Sequence, residues 1–298
     1  MELCLGTVQF GMDYGIRGKK KPPLFDALKM LDYAVHNGIF TIDTANAYGE
    51  AEDVVGAYLG RDPAVRQQVR LISKFRPNLL DNVPEEQYYP IMKSNLEESF
   101  RRLHTDYLDG YLLHSARYVY NDAIIEALVR LKQEGFARAV GVSVYETDEA
   151  KTGILRGDLD FLQLPYSVLD QRMFHSGVLA LAEERQFPLH SRSAFIQGLV
   201  LMNSKEVPLF LRDRAAPILK KVDSVCRETG LTRVQIAMGF VKQQRAISHM
   251  VFGVRNLDQL KEDISVYQQD LPDDVAVELE GQFSDISTDI VMPSLWKK

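Results

Sequence analysis

Asp43, Tyr48, Lys74 and His114 are, by type, the groups needed to deliver a proton to a carbonyl oxygen. A free phenol, with a pKa of about 10, is too weak an acid to donate efficiently at neutral pH. An ammonium beside it favours the phenolate and lowers that pKa, and a carboxylate keeps the ammonium charged and oriented. These rules cast Tyr48 as general acid and Lys74 and Asp43 as the pair that tunes it. His114 then binds the carbonyl oxygen or shares in relaying the proton, according to its tautomer. A carbonyl polarised in this way is open to hydride, which only a cofactor supplies.

Such a set works only if the fold assembles it, and the segments carrying these residues show how. Phe40 to Thr44, Val69 to Lys74 and Tyr107 to His114 are each apolar and β-prone until a polar side chain closes them. Tyr48 follows in the loop after the first of these. Strands are also expected at Leu3 to Leu5, Ala137 to Ser143, Asp160 to Leu164, Phe187 to Ser193 and His249 to Gly253, making eight. Helical periodicity fills the intervals, as in Leu24 to Asn37, where Leu24, Ala27, Leu28, Leu31, Ala34 and Val35 share a face and Asn37-Gly38 forms the stop. Strict alternation within 298 residues predicts one closed (β/α)₈ TIM barrel spanning residues 1–298. An extra helix at Arg233 to Gln243 precedes strand eight, and a C-terminal helix and tail ending in Ser294, Leu295 and Trp296 fold back over one end. In such a barrel the four candidate residues share one rim.

Composition narrows the alternatives. The net charge of −6 and the scattered basic residues give no nucleic-acid footprint, and the run Lys19, Lys20, Lys21 reads as a solvated loop. Cys4 and Cys226 lack disulfide or zinc spacing, and His104, His175, His190 and His249 form no metal-ligand pattern. A cytoplasmic chain without membrane segments is expected. Singly, each of the four residues has a structural explanation: a helix-capping aspartate, a rim aromatic, a snorkelling lysine, a satisfied histidine. Their chemical complementarity at neighbouring strand ends favours catalysis.

The segments Gly6-Thr7, DTANAYGEAE from Asp43 to Glu52, ISK ending at Lys74 and YLLH ending at His114 resemble the aldo-keto reductases over nearly the whole chain. That resemblance implies a (β/α)₈ barrel binding NADPH, or NADH, in extended form at the C-terminal rim, with Asp43, Tyr48, Lys74 and His114 as the catalytic tetrad. It implies reduction of an aldehyde or ketone. The segments LGTVQFGMDYGI, LQLPYSVLDQR and RSAFIQGLVLM are similar to a bacterial-type subgroup associated with sugar or polysaccharide metabolism. Cofactor-binding roles follow from the same resemblance: Gly6 and Thr7 on the first rim loop, Ser143 and Gln163 for the nicotinamide carboxamide, and Ser193, Phe195 and Gln197 for the pyrophosphate. Gly253, Val254, Arg255, Gln259 and Asp263 fall at the adenosine end. Val144 stands where the family usually has an asparagine, Asp263 replaces another, and the usual N-terminal hairpin plug is expected to be absent. Arg192 occupies a position where many members stack an aromatic ring on the nicotinamide; it either stacks by its guanidinium plane or binds an anionic group on the substrate. Of Phe10, Tyr14, Phe75, Tyr118 and Trp296, aromatics near the rim loops, some are expected to line the substrate pocket and others to be core. The main rival is a cofactor-sensing regulatory barrel, similar to the aldo-keto reductase-like β subunits of potassium channels. An isomerase or aldolase on the same fold is a third reading.

Overall fold

The computed structural model describes residues 1–296 and shows a closed barrel of eight parallel strands. They are β1 (Glu2–Gly6), β2 (Thr41–Asp43), β3 (Arg70–Phe75), β4 (Gly110–Leu113), β5 (Val140–Ser143), β6 (Phe161–Pro165), β7 (Leu189–Arg192) and β8 (Ile247–Gly253). Each pairs with its sequence neighbours, and β1 closes the ring on β8 with Gly6 opposite Gly253. The apolar helix faces read from the sequence pack outside this wall. In the helix Leu24–His36, for example, Ala27, Leu28, Leu31, Ala34 and Val35 are all buried. Local signals fix the ends: the Asn121 side chain caps the helix Asp122–Gln133, and a reciprocal capping box between Thr232 and Gln235 starts Arg233–Lys242. Among the described residues no helix is long and apolar enough to cross a membrane.

Strand side chains alternate between the helix layer and the barrel interior, so residues two apart share a face. Ile72, Leu112 and Phe161 form a small apolar cluster separate from the main core. Two residues further along the same strand directions come Lys74, His114 and Gln163, so the cluster forms a dry floor beneath the polar end. Towards the N-terminal end the His190 and His249 rings lie 4.2 Å apart and Phe161 packs 4.7 Å from His190. Burial pushes both imidazoles below their ordinary pKa, so they fill that end as neutral rings.

The structure adds elements that the sequence pattern does not announce. A short helix, Val8–Gly11, follows β1 directly, and further short helices occupy Pro63–Gln68 and Arg172–His175. The fourth strand is shorter than its apolar run, ending at Leu113 so that His114 lies just past it. After the helix Asp273–Gln282 the chain does return over the barrel. Trp296 is a buried peg whose indole N–H donates to the Ile290 carbonyl at 3.1 Å, while Pro293 and Ser294 reach the rim.

Gly141 shows how tightly the wall is drawn. A Cβ there would meet the Phe161 carbonyl oxygen at 2.0 Å and a Leu112 methyl at 2.9 Å. Gly141→Ala is therefore expected to destabilise the fold by about 1–3 kcal/mol, read as a lower midpoint of urea unfolding.

Candidate active site

At the C-terminal end of the barrel lies a cavity of about 550 Å³, the size of a small-molecule site. Lys74 sits at its base, fully buried. Its Nζ donates to Asp43 Oδ1 at 2.6 Å and to the Thr44 carbonyl at 2.9 Å. The second Asp43 oxygen accepts from Gln163 Nε2 at 2.8 Å, and the Thr7 hydroxyl donates to the Asp43 carbonyl at 3.0 Å. Groups from β3, β6 and the end of β1 thus converge on Asp43, the first two on its carboxylate and the third on its backbone carbonyl.

Tyr48 leans over this pair. The Lys74 nitrogen is 5.0 Å from its ring centroid, and the His114 ring meets it edge-on at 5.6 Å. Backbone contacts fix the loop that carries Tyr48. Gly11 is pressed against the loop that carries it: the Glu50 N–H donates to the Gly11 carbonyl at 3.1 Å, and a Cβ on Gly11 would lie 1.8 Å from the Tyr48 carbonyl oxygen. From the other side Arg102 holds the same loop, donating to the Asn46 and Gly49 carbonyls while pairing with Glu52 at 3.2 Å and Asp53 at 2.8 Å. Sequence reasoning passed over Arg102 because nothing in its local pattern announces that it reaches a loop more than fifty residues earlier.

Burial and charge compete at each titratable group. Burial is the largest single influence on Lys74 and pulls it down, but Asp43 and Tyr48 together outweigh it and the net direction is up, so Lys74 stays an ammonium. Burial pushes the Tyr48 phenol up, and Lys74 opposes this without reversing it. That corrects the expectation of a phenol below its ordinary pKa: the sequence argument counted the neighbouring charge but not the loss of water around the hydroxyl. Burial, reinforced by Lys74 and Arg192, lowers His114 to about 3, which makes it a neutral imidazole; its Nδ1 is occluded without a partner.

Of the other expected positions, Gly6, Thr7, Ser143, Gln163, Arg192, Ser193, Phe195, Gln197, Gly253, Arg255 and Gln259 line the same cavity. Gly6 and Gly253 lie side by side at the paired ends of β1 and β8, on the cavity wall. Val254 and Asp263 do not line it. Val254 faces the core, and Asp263 is fully buried one helical turn beyond Gln259, with neither carboxylate oxygen hydrogen-bonded. Of the aromatics read near the rim loops only Tyr14 lines it; Phe10, Phe75, Tyr118 and Trp296 are buried elsewhere. Tyr145, Gln9, Arg17 and Glu206 are lining residues that sequence reasoning missed. Arg17 pairs with Glu206 at 3.3 Å and the Ile16 N–H donates to the Gln197 carbonyl at 3.1 Å, so the loop after β1 is strapped to the segment after β7. In that segment Ser193, Ile196 and Gln197 have left-handed φ values of 66°, 45° and 54°, the local strain often found at working sites. Among the described residues no cluster of His, Cys, Asp or Glu is placed to hold a metal ion.

The model of the Aldo/keto reductase family matches residues 2–281. The chain belongs to the aldo/keto reductase family. Relatives include the uncharacterized oxidoreductase YqkF of Bacillus subtilis, 28% identical over 80% of this chain and 81% of that one. The NADH-specific methylglyoxal reductase of Escherichia coli is 24% identical over 79% of this chain and 81% of its own length. Among solved structures, aldo-keto reductase AKR11C1 from Bacillus halodurans, in its holo form, superposes with a TM-score of 0.78 at 22% identity, covering 97% of this chain and 95% of that one. The chain is thus an oxidoreductase of this family, whose members use nicotinamide cofactors.

The unpaired carboxyl of Asp263 makes a prediction about stability. Burial, with a smaller contribution from Glu262, raises its pKa to about 7, against about 4 in the unfolded chain. Between those values the native state keeps a proton that the unfolded state releases, so stability falls as pH rises through this window. Asp263→Asn should remove that loss, gaining about 1–3 kcal/mol over the parent at pH 8 and much less near pH 4.5, by denaturant unfolding at the two pH values.

Proposed function

We propose that this protein is an NADPH-dependent reductase of small aldehydes or ketones, with Tyr48 as the proton donor. The observation that carries the reading is the fully buried Lys74–Asp43 ion pair set beneath Tyr48 and beside His114 at the base of a cavity whose lining also includes Arg255 and Gln259. A buried pair of this kind is expensive to desolvate, and removing either partner leaves an uncompensated charge. Its retention next to a phenol makes chemical sense if the ammonium stabilises negative charge that appears on the phenol oxygen.

The cavity suits the nicotinamide cofactor. The Ser143 hydroxyl and Gln163, whose amide nitrogen is held by Asp43, face the catalytic end and would hold the carboxamide. The strained segment from Ser193 to Gln197 would hold the pyrophosphate, and Arg255 and Gln259 the adenosine end. Arg255 is the cation there that suits a 2′-phosphate and supports NADPH over NADH. Reduced nicotinamide, when bound, supplies the hydride.

The chain's own residues manage the proton. Neutral His114 has an N–H to offer the carbonyl oxygen and carries no charge that would repel Lys74. The raised phenol pKa keeps Tyr48 protonated throughout the physiological range, the form a donor must have. As hydride adds, the carbonyl oxygen becomes a strongly basic alkoxide and takes the Tyr48 proton, while Lys74 stabilises the phenolate left behind. Asp43, itself held by Gln163, and the Thr44 carbonyl keep the lysine in place through the cycle.

Two variants test this division of labour. Tyr48→Phe should lower kcat by about 10²- to 10⁴-fold while NADPH affinity, read by fluorescence quenching, stays close to the parent; unchanged turnover would remove Tyr48 from its role. Arg102→Met, which releases the loop carrying Tyr48, should lower kcat by about tenfold with KM and cofactor affinity little changed, and Arg102→Lys should restore part of the loss.

A further inference from the structure

The charges at the catalytic end of the cavity do not cancel. Asp43 is committed to Lys74 and Gln163, and Glu206 to Arg17. Arg192, at the end of β7, forms no ion pair within 4.0 Å among the described residues. It is nevertheless held in place. Its guanidinium lies against the Tyr145 ring, 4.1 Å from the centroid, Nη2 donates to the Val144 carbonyl at 2.9 Å, and Nη1 reaches the Ser193 hydroxyl at 3.4 Å. Nε is occluded without a partner. Protein acceptors therefore take up only part of the fork of N–H donors that a guanidinium presents. Val144 contributes only its backbone; its side chain is buried.

A half-buried cation without a counter-ion carries a desolvation cost that a ligand must offset. The chemically complementary ligand would be an anion, and its position is constrained by what surrounds the guanidinium. The titratable groups that feel the Arg192 charge are Tyr48, His114 and Tyr14, all at the proton-donating end, whereas Arg255 stands at the other end of the channel. We propose that Arg192 is a substrate-recognition residue and that the carbonyl substrate carries a carboxylate, which docks on the free edge of this guanidinium while its carbonyl oxygen reaches Tyr48 and His114. The substrate class is then an oxo acid or an aldehyde acid. A planar fork braced on an aromatic ring is suited to a carboxylate in a way that lysine is not. This inference rests on the reductase reading above.

The test compares 4-carboxybenzaldehyde with its methyl ester as substrates for the parent, Arg192→Leu and Arg192→Lys, with NADPH affinity measured separately for each. The parent should favour the carboxylate in kcat/KM by about ten- to hundredfold; Arg192→Leu should bring that ratio close to unity, and Arg192→Lys should leave it between. A parent without preference, or a ratio that survives Arg192→Leu, overturns the proposal. So does a large loss of NADPH affinity at an unchanged ratio, which assigns Arg192 to the cofactor. If neither aldehyde is reduced and NADPH does not bind, the reductase reading has failed, and calorimetric titration of the protein with benzoate still decides the anion site: binding abolished by Arg192→Leu supports it, and no binding, or equal binding, overturns it.

Discussion

The buried contact between Lys74 and Asp43 constrains the rest of this molecule. Two charges without water are tolerated only when their remaining hydrogen-bonding capacity is met, and here the Thr44 carbonyl and the Gln163 amide meet it. Asp43 ends β2, Lys74 lies on β3 and Gln163 on β6, so the last contact crosses the interior and exists only because the sheet closes. Beneath the pair, Ile72, Leu112 and Phe161 keep the floor dry, and further down the neutral His190 and His249 rings continue the plug. The low polarity that strengthens the ion pair also raises the Tyr48 phenol and depresses His114. One environment therefore acts on the protonation of Lys74, Tyr48 and His114 together.

Much of this was legible in the sequence because the barrel is repetitive. Several strands are apolar until a polar residue closes them, and helices such as Leu24–His36 and Asp122–Gln133 carry a stop or a cap in their sequence, so the alternation and the shared rim could be read without coordinates. Asp43, Lys74 and His114 were legible for the same reason, being strand-end residues. Tyr48 was legible by chemical complementarity, but its ionisation was not, since a local reading sees the nearby ammonium and not the extent of burial around the hydroxyl.

What stayed hidden depends on contacts between segments distant along the chain. Tyr145 looks like an ordinary residue after β5 until the fold sets it against Arg192. Arg17 and Glu206 are separated by most of the barrel and meet because two rim loops cross. Asp263 illustrates the opposite error. Its place in a motif suggested a rim role, whereas the helical turn between it and Gln259 carries it out of the cavity and into the wall.

The backbone seam between Gly11 and the loop bearing Tyr48 has a consequence for how such a molecule can diversify. Because the loop bearing Tyr48 is located by close main-chain packing, the seam leaves little for selection to adjust by degrees, and even a methyl group on Gly11 would collide with the Tyr48 carbonyl. Variation is instead channelled into positions that face the cavity without supporting Asp43, Tyr48, Lys74 or His114, such as Tyr14, Tyr145 and the segment around Leu201. New substrate preferences can arise there while the reaction itself is inherited unchanged.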